Sequence, residues 1–554
     1  MLPRRHRYED VRTDFAWDIP RHYNIGVDVS DRWAAHEPDR VAIIHVESDG
    51  SHRLVSYGEL ATQSNRLANA LQTRGVARGD RIGVLLPQSP ETAIAHIAAY
   101  KLGAIAVPLF ALFGPDALQF RLSDAGAKVV ITNAAGAEKL IPLRAELPSL
   151  HFILSVDGKA PGVQDFSRAV AEADASFTAV DTEADDPALI IYTSGTTGNP
   201  KGALHAHRVL PGHLPGVEMS HGFLPEPGDR IWTPADWAWI GGLLDVLLPA
   251  LHHGIPVVSH RFAKFTGEAA FKLMRETGVR NAFLPPTALK LMRAATSADP
   301  SLKLEMRSVA SGGETLGPEL LQWGRETFGV EINEFYGQTE CNMIVSSCAR
   351  LMPARPGVMG RPVPGHDVRV IDGQGRDCPI GTIGNIAARK GDPVMFLEYW
   401  NNPRATKAKY IGDWLVTGDM GVAESDGWIR FLGRDDDVIT SSGYRIGPGE
   451  IEDCLLRHPA VQMTGVVGKP DPDRTEIVMA FIVLKSGHEA KAELADEIAR
   501  FVRDRLAAHE YPREIAFVDE LPMTTTGKII RRALRDSAAP GGNIQNTFQV
   551  RRET

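Results

Sequence analysis

From Tyr57 onward the chain alternates helix-spaced leucines with short unbroken apolar runs, and this alternation limits the fold more than any other feature. "YGELATQSNRLANALQTRG" places Leu60, Leu67 and Leu71 on one helix face. "RIGVLLP" then reads as a buried strand, and "ETAIAHIAAYKLG" as a helix ending at Gly103. "AIAVPLF", "AKVVITN", "PALIIYTS", "GIPVVSH", "EAAFKLMRETG", "GPELLQWGRETFG" and "VEINEFYG" continue the theme. The alternation predicts largely parallel sheets covered by helices. After about Pro353 short strands with glycine turns take over, including a hairpin turn at Asp426–Gly427. Beyond "GRDDDVIT" helices and strands resume, enough for a separate α+β domain. A chain of 554 residues exceeds what one core covers, so at least two domains are expected.

Composition narrows the function. A formal charge of −9 with no basic stripe argues against nucleic acid as the main partner. The charged start "MLPRRHRYED" lacks an apolar h-region, which predicts a cytoplasmic protein. "IGGLLDVLLPAL" is broken by Asp245 and Pro249 and is too short to span a membrane. Cys341, Cys348, Cys378 and Cys454 form no CxxC pair, so neither zinc nor a disulfide framework is indicated.

One stretch carries chemistry on its face. "PALIIYTSGTTGNPKG" runs a buried strand, Ala188 to Tyr192, into a turn with hydroxyls at Thr193, Ser194, Thr196 and Thr197 and with Gly195 and Gly198. Such a turn can cradle phosphate oxygens, with Lys201 as a point charge. A Walker A loop needs glycine before the lysine and Ser or Thr after it. Here Pro200 and Gly202 stand there instead.

The loop resembles the signature of the adenylate-forming superfamily. Further motifs of that family follow in order: "SGGETL", "NEFYGQTE", "WLVTGD", "GRDDDVI", "SSGYRIGPGEIE" and "PMTTTGKIIRR". The resemblance covers roughly residues 30 to 535. It implies a large α/β N-terminal domain of two parallel-type subdomains plus a small β subdomain over 1–433, a hinge at 434–437, and a mobile α+β domain over 438–554. It also implies an AMP-forming acyl-CoA synthetase, which turns a carboxylic acid and ATP into an acyl-adenylate and pyrophosphate, then passes the acyl group to CoA.

Residue by residue, the resemblance gives the β and γ phosphates to Thr193–Gly198 and Lys201. Thr339 contacts the α-phosphate and Glu340 holds Mg2+. Gly313, Glu314, Thr315, Glu334, Phe335 and Tyr336 flank adenine, Asp419 and Arg434 hold the ribose, and Arg445 meets the adenylate phosphate. Lys528 is the adenylation lysine, Asp436 the hinge, and Gly443 with Tyr444 line the CoA path. Thr524 departs from the "PKTxSGK" pattern, so acetylation of Lys528 by a lysine acetyltransferase is only an option, and oligomer formation is open.

The acyl pocket falls by resemblance to Trp239, Ile240, Gly241, Gly312 and Gly337. Acetate-activating relatives carry tryptophan before the glutamine of "QTE", and this chain has Gly337. Three lining glycines are expected to open a slot for a medium-chain, branched or aryl acid, each buried CH₂ contributing about 0.8 kcal/mol. Trp237 and Trp239 could stack on an aromatic acid or be core residues. Two alternatives share the nucleotide motifs: a standalone ligase loading a carrier protein, and a catalytically silent nucleotide-binding homologue.

Overall fold

The computed structural model describes all residues except 194–199, 314–315, 436, 442–443, 473, 507–509, 524–528, 540–545 and 551–554, and the side chains of 440, 444, 445 and 450. The chain divides into two compact units, one of Met1–Val368 with Ala388–Leu415 and the other of Arg369–Ala387 with Val416–Thr554. Compactness thus groups most of the small β segment with the C-terminal part, whereas the expected division ran at 434–437.

Among the described residues the first unit holds two large sheets. In the eight-stranded sheet the order is Glu398–Tyr399, Lys201–Ala206, Pro187–Thr193, Ile105–Pro108, Arg81–Leu85, Val129–Thr132, Phe152–Ser155 and Gln164–Asp165. Its body is parallel, and only Lys201–Ala206 and Glu398–Tyr399 run antiparallel to their neighbours. The nine-stranded sheet has a parallel centre that includes Ser308–Gly312 and Ile332–Gln338, continued antiparallel by Cys341–Ser346. The expected alternation is what forms.

Local chemistry explains the helices. Tyr57–Thr73 starts at Ser56, whose hydroxyl accepts from the Glu59 N–H at 3.1 Å, a Ser-x-x-Glu start. Its Leu60, Leu67 and Leu71 are fully buried, each stabilising by about 1.5–3 kcal/mol. Pro90–Lys101 opens with Ser89 as cap and proline in the first turn, and is buried nearly throughout because it lies inside the core between layers.

The second unit contains the hairpin of Trp414–Ala423 and Ile429–Arg434, turning through Gly427 at φ +82° as Asp426–Gly427 predicted. It also carries a sheet built on the long antiparallel pair Val461–Asp471 and Thr475–Leu484. Helices Pro448–Leu456 and Ala492–Arg503 cover that sheet, with Ile451, Leu455, Ile498 and Val502 in its core.

Candidate active site

Open parallel sheets present ligands at the carboxyl ends of their strands. Pro187–Thr193 ends there, and it pairs with Lys201–Ala206 so that Thr193 lies directly opposite Lys201. The Thr193 hydroxyl donates to the Lys201 carbonyl at 3.4 Å. These two residues form the described rim of the expected phosphate loop; Ser194, Gly195, Thr196, Thr197 and Gly198 lie outside the described residues.

Lys201 is held by an aromatic ring that sequence reasoning missed. Glu398–Tyr399 pairs onto Lys201–Ala206, with Tyr399 opposite Ala203. This register brings the Lys201 ammonium 5.2 Å from the Tyr399 ring centroid, within cation–π range. The Tyr399 hydroxyl donates to Oε1 of Glu340. Nothing periodic marks Tyr399 in "FLEYWNNP"; only the pairing of its strand reveals it.

Glu340 gets its place from a tight turn. Ile332–Gln338 and Cys341–Ser346 pair antiparallel with Gln338 opposite Cys341, leaving Thr339 and Glu340 as a two-residue connection. The Phe396 N–H donates to the Glu340 carbonyl at 2.9 Å, and the Lys409 ammonium donates to Oε1 of Gln338 at 3.1 Å. The Glu340 side chain is only 7% exposed. A buried carboxylate with one oxygen engaged by a neutral hydroxyl suits a hard cation that takes its other ligands from phosphate and water.

Side chains alternate along Ile332–Gln338 as in any strand. Glu334 accepts from the Leu316 N–H at 2.9 Å, and Gly313 turns at φ +100°. Glu314 and Thr315 lie outside the described residues. Phe335 projects to the opposite face from Glu334 and Tyr336. Its ring is 5.1 Å from that of Phe283 and belongs to the hydrophobic core, so the expectation that Phe335 flanks adenine is corrected: it packs into an apolar wall.

Two of the three pocket glycines also need correction. A Cβ on Gly337 would stand 2.4 Å from the Met343 nitrogen and 2.5 Å from the Asn342 Cα. Gly337 therefore permits close approach of the two strands, where the register slips between Tyr336 and Gln338, and its missing side chain opens no slot. At Gly312 the space is filled by the Phe335 ring, 2.6 Å from a built Cβ. At Gly241 the Phe283 ring lies 2.9 Å away and Oδ2 of Asp245 3.5 Å away.

Trp239 caps the short helix Ile240–Gly242 and its ring lies 5.6 Å from that of Phe110 and 6.4 Å from that of Phe113. Ile240 packs against the core, and Trp237 is fully buried, an ordinary core residue. Beside them, burial pushes the Asp236 carboxyl up to about 6, although Oδ1 accepts from the Ala238 N–H at 2.8 Å.

In the second unit, Asp419 and Arg434 are direct cross-strand partners, with Nη1 of Arg434 3.2 Å from Oδ1 of Asp419. Asp419 is buried within the strand Trp414–Ala423, next to Gly418 at φ +77°. Asp436, Gly443 and Lys528 lie outside the described residues, as do the side chains of Tyr444 and Arg445. Next to Asp436, Asp437 accepts from Nη1 of Arg535 and lies 3.9 Å from Nη1 of Arg531, anchoring that segment to the helix Arg531–Ala538.

Comparison with known proteins agrees with this layout. A family model described as AMP-binding enzyme matches residues 30–400, and one described as AMP-binding enzyme C-terminal domain matches residues 450–528. The acetyl-coenzyme A synthetase of Bacillus subtilis (strain 168) is 35% identical over 534 residues, 94% of this chain and 92% of that protein. The mitochondrial acyl-coenzyme A synthetase ACSM4 of Rattus norvegicus is 34% identical over 535 residues, 94% of this chain and 91% of that protein. The crystal structure of the anthranilate CoA ligase AuaEII with anthranoyl-AMP superposes with a TM-score of 0.85 at 29% identity, over 94% of this chain and 98% of that one. Among the described residues no helix is long and apolar enough to cross a membrane. With the expected motifs in order and both family models matched, the chain belongs to the AMP-binding enzymes of the adenylate-forming superfamily, among the AMP-forming acyl-CoA synthetases.

Proposed function

We propose that this synthetase activates a carboxylic acid larger than acetate, an aryl acid suiting it best, and that its own residues divide the work as follows. Lys201 and the hydroxyl loop bind the β and γ phosphates, so that pyrophosphate leaves already paired with positive charge. Tyr399 fixes Lys201 from below and holds Glu340 at the turn. Glu340 is the residue that would hold Mg2+, which when bound neutralises phosphate charge. Thr339, its neighbour in the same turn, meets the α-phosphate. Asp419 accepts from the ribose hydroxyls with Arg434 orienting it, and Tyr336 faces adenine. Lys528 neutralises charge between carboxylate and α-phosphate during adenylation, Arg445 takes the adenylate phosphate, and Gly443 with Tyr444 admit CoA after rotation at Asp436.

The observation that carries this reading is the chain of contacts from Lys201 through Tyr399 to Glu340. It couples a phosphate-binding cation to a metal-binding carboxylate, as nucleotide activation requires and a silent nucleotide-binding homologue does not. The aryl preference rests on the Phe283–Phe335 wall and Trp239, with medium-chain and branched acids next. Cosubstrate ATP and CoA suit a cytoplasmic enzyme. Acetylation of Lys528 by a lysine acetyltransferase would remove its charge and stop adenylation, and mass spectrometry of the isolated protein checks for it.

Pyrophosphate release and CoA thioester formation, measured across C2 to C12 and aromatic acids, test the proposal. Release with aryl acids and thioester with CoA are expected. Acetate as the best substrate would overturn the size assignment, and transfer to a carrier protein but not to CoA would overturn the acceptor.

A further inference from the structure

The run "IGGLLDVLLPAL" is apolar except for Asp245, and the structure buries that carboxyl almost completely, at 2% exposure. It lies in the π-helical turn Leu243–Leu247 directly after Ile240–Gly242, and such turns recur at functional sites. Nδ2 of Asn342 donates to Oδ1 at 2.7 Å. Oδ2 meets no hydrogen-bond partner among the described residues, and it lies 3.5 Å from where a side chain on Gly241 would begin. Phe283 faces the same point. Asn342 in turn reaches Asp245 because Gly337 lets the strand Cys341–Ser346 close in.

A buried polar group without a partner is costly, and proteins keep one mainly where a ligand completes it. We propose that Asp245 reads a hydroxyl substituent on the far end of the acyl substrate, so that the preferred acid is a hydroxylated, most simply a hydroxyaryl, carboxylic acid. The inference rests on the reading of Gly241 as part of the acyl site.

The chemistry of the cluster favours a neutral hydrogen-bonding partner over a cation. Burial holds the Asp245 carboxyl well above the usual range. The Nε2 atom of His213 is 3.9 Å from Oδ1, but burial keeps that imidazole down to about 4 and its Nδ1 lies 2.7 Å from the Val209 carbonyl oxygen, so it brings no charge that would ionise the acid. With Oδ1 accepting from Asn342, Oδ2 is the oxygen left to meet a substrate group, and it is turned toward Gly241 and the Phe283 ring. A hydroxyl can hydrogen-bond with it; a methyl or ring C–H leaves it unmet. Sites built this way reject the analogue lacking the polar group far more strongly than an apolar pocket rejects a missing methylene.

The test is steady-state pyrophosphate release by the full chain with ATP, Mg2+ and CoA, using paired acids: benzoate against its three monohydroxy isomers, and hexanoate against 5- and 6-hydroxyhexanoate. In at least one pair the hydroxylated acid is expected to lead in kcat/KM by on the order of 10²-fold. In Asp245→Leu that ratio should fall to within about threefold or invert, because the hydroxylated acid loses its partner while the plain one gains apolar contact. Asp245→Ala, which likewise removes the polar group and is smaller, gives the same ratio test if the leucine variant fails to fold by circular dichroism. Preference for the plain acid in every pair, or a ratio unchanged in the folded variants, overturns the proposal. Absence of release with any acid would instead sink the ligase reading on which it stands.

Discussion

The hydroxyl of Tyr399 donates to the carboxylate of Glu340 while the ring of the same tyrosine lies under the ammonium of Lys201. One side chain thus sets the position of two charges of opposite sign, and each contact depends on a different part of it.

Tyr399→Phe separates the two. The ring and its cation–π contact survive, while the hydrogen bond to Glu340 is lost. Outer partners of metal ligands typically contribute 10–100-fold to metal affinity, so the Mg2+ concentration for half-maximal ATP–pyrophosphate exchange should rise about tenfold, with little change in the KM for the acid. A variant with unchanged Mg2+ dependence would show that Tyr399 is packing alone. Tyr399→Leu should add a rise in the KM for ATP, because Lys201 then loses its platform.

Gly337→Ala distinguishes close packing from pocket shape. An added methyl must displace the backbone at Asn342 and Met343, which cannot yield as the tip of a flexible side chain can. Overpacking of this kind costs about 1–3 kcal/mol, read as a lowered melting temperature. If Gly337 only widened the acyl slot, the variant would melt normally and shift its preference toward shorter acids.

These two residues also mark what the sequence could and could not disclose. The layered α/β fold was legible because helix and strand periods differ and the chain switches between them repeatedly. Asp419, Arg434, Thr339 and Glu340 were legible as motif residues, but the cross-strand pairing of the first two and the turn formed by the last two were not. The direction in which a glycine's missing side chain would point was not, since that depends on neighbouring strands: Gly337 faces backbone, and Gly312 faces Phe335. Tyr399 sits in a two-residue strand with no pattern to announce it. Asp245 did leave a signal, an acid within an apolar run, but that signal alone spoke only against a membrane span.

Lys528→Ala should divide the two half-reactions. Loss of a charge that forms part of the adenylation transition state costs about 10²–10³ in rate, measured as carboxylate-dependent ATP–pyrophosphate exchange. Conversion of supplied acyl-adenylate and CoA to thioester should persist. Equal loss in both steps would refute the assignment.

Buried imidazoles make the first unit sensitive to acid. Burial lowers His96, His205 and His221 to about 3, and His207 and His213 to about 4, against about 6.5 in the unfolded chain. Between pH 6.5 and 4 the unfolded chain therefore binds protons that the folded one refuses. Stability falls as the pH drops through this window, by up to about 1.4 kcal/mol per pH unit for each histidine. Asp236, raised to about 6, acts in the opposite sense, since its folded form retains a proton the unfolded chain releases near pH 4. Asp245, held well above its usual range by burial, acts in the same sense as Asp236, and two carboxyls offset only part of five imidazoles. The melting temperature should drop by roughly 5 °C from pH 7 to pH 5, and His96→Gln, which removes one of the five, should flatten the curve. A melting temperature constant over that range would mean that these histidines are protonated in the folded protein.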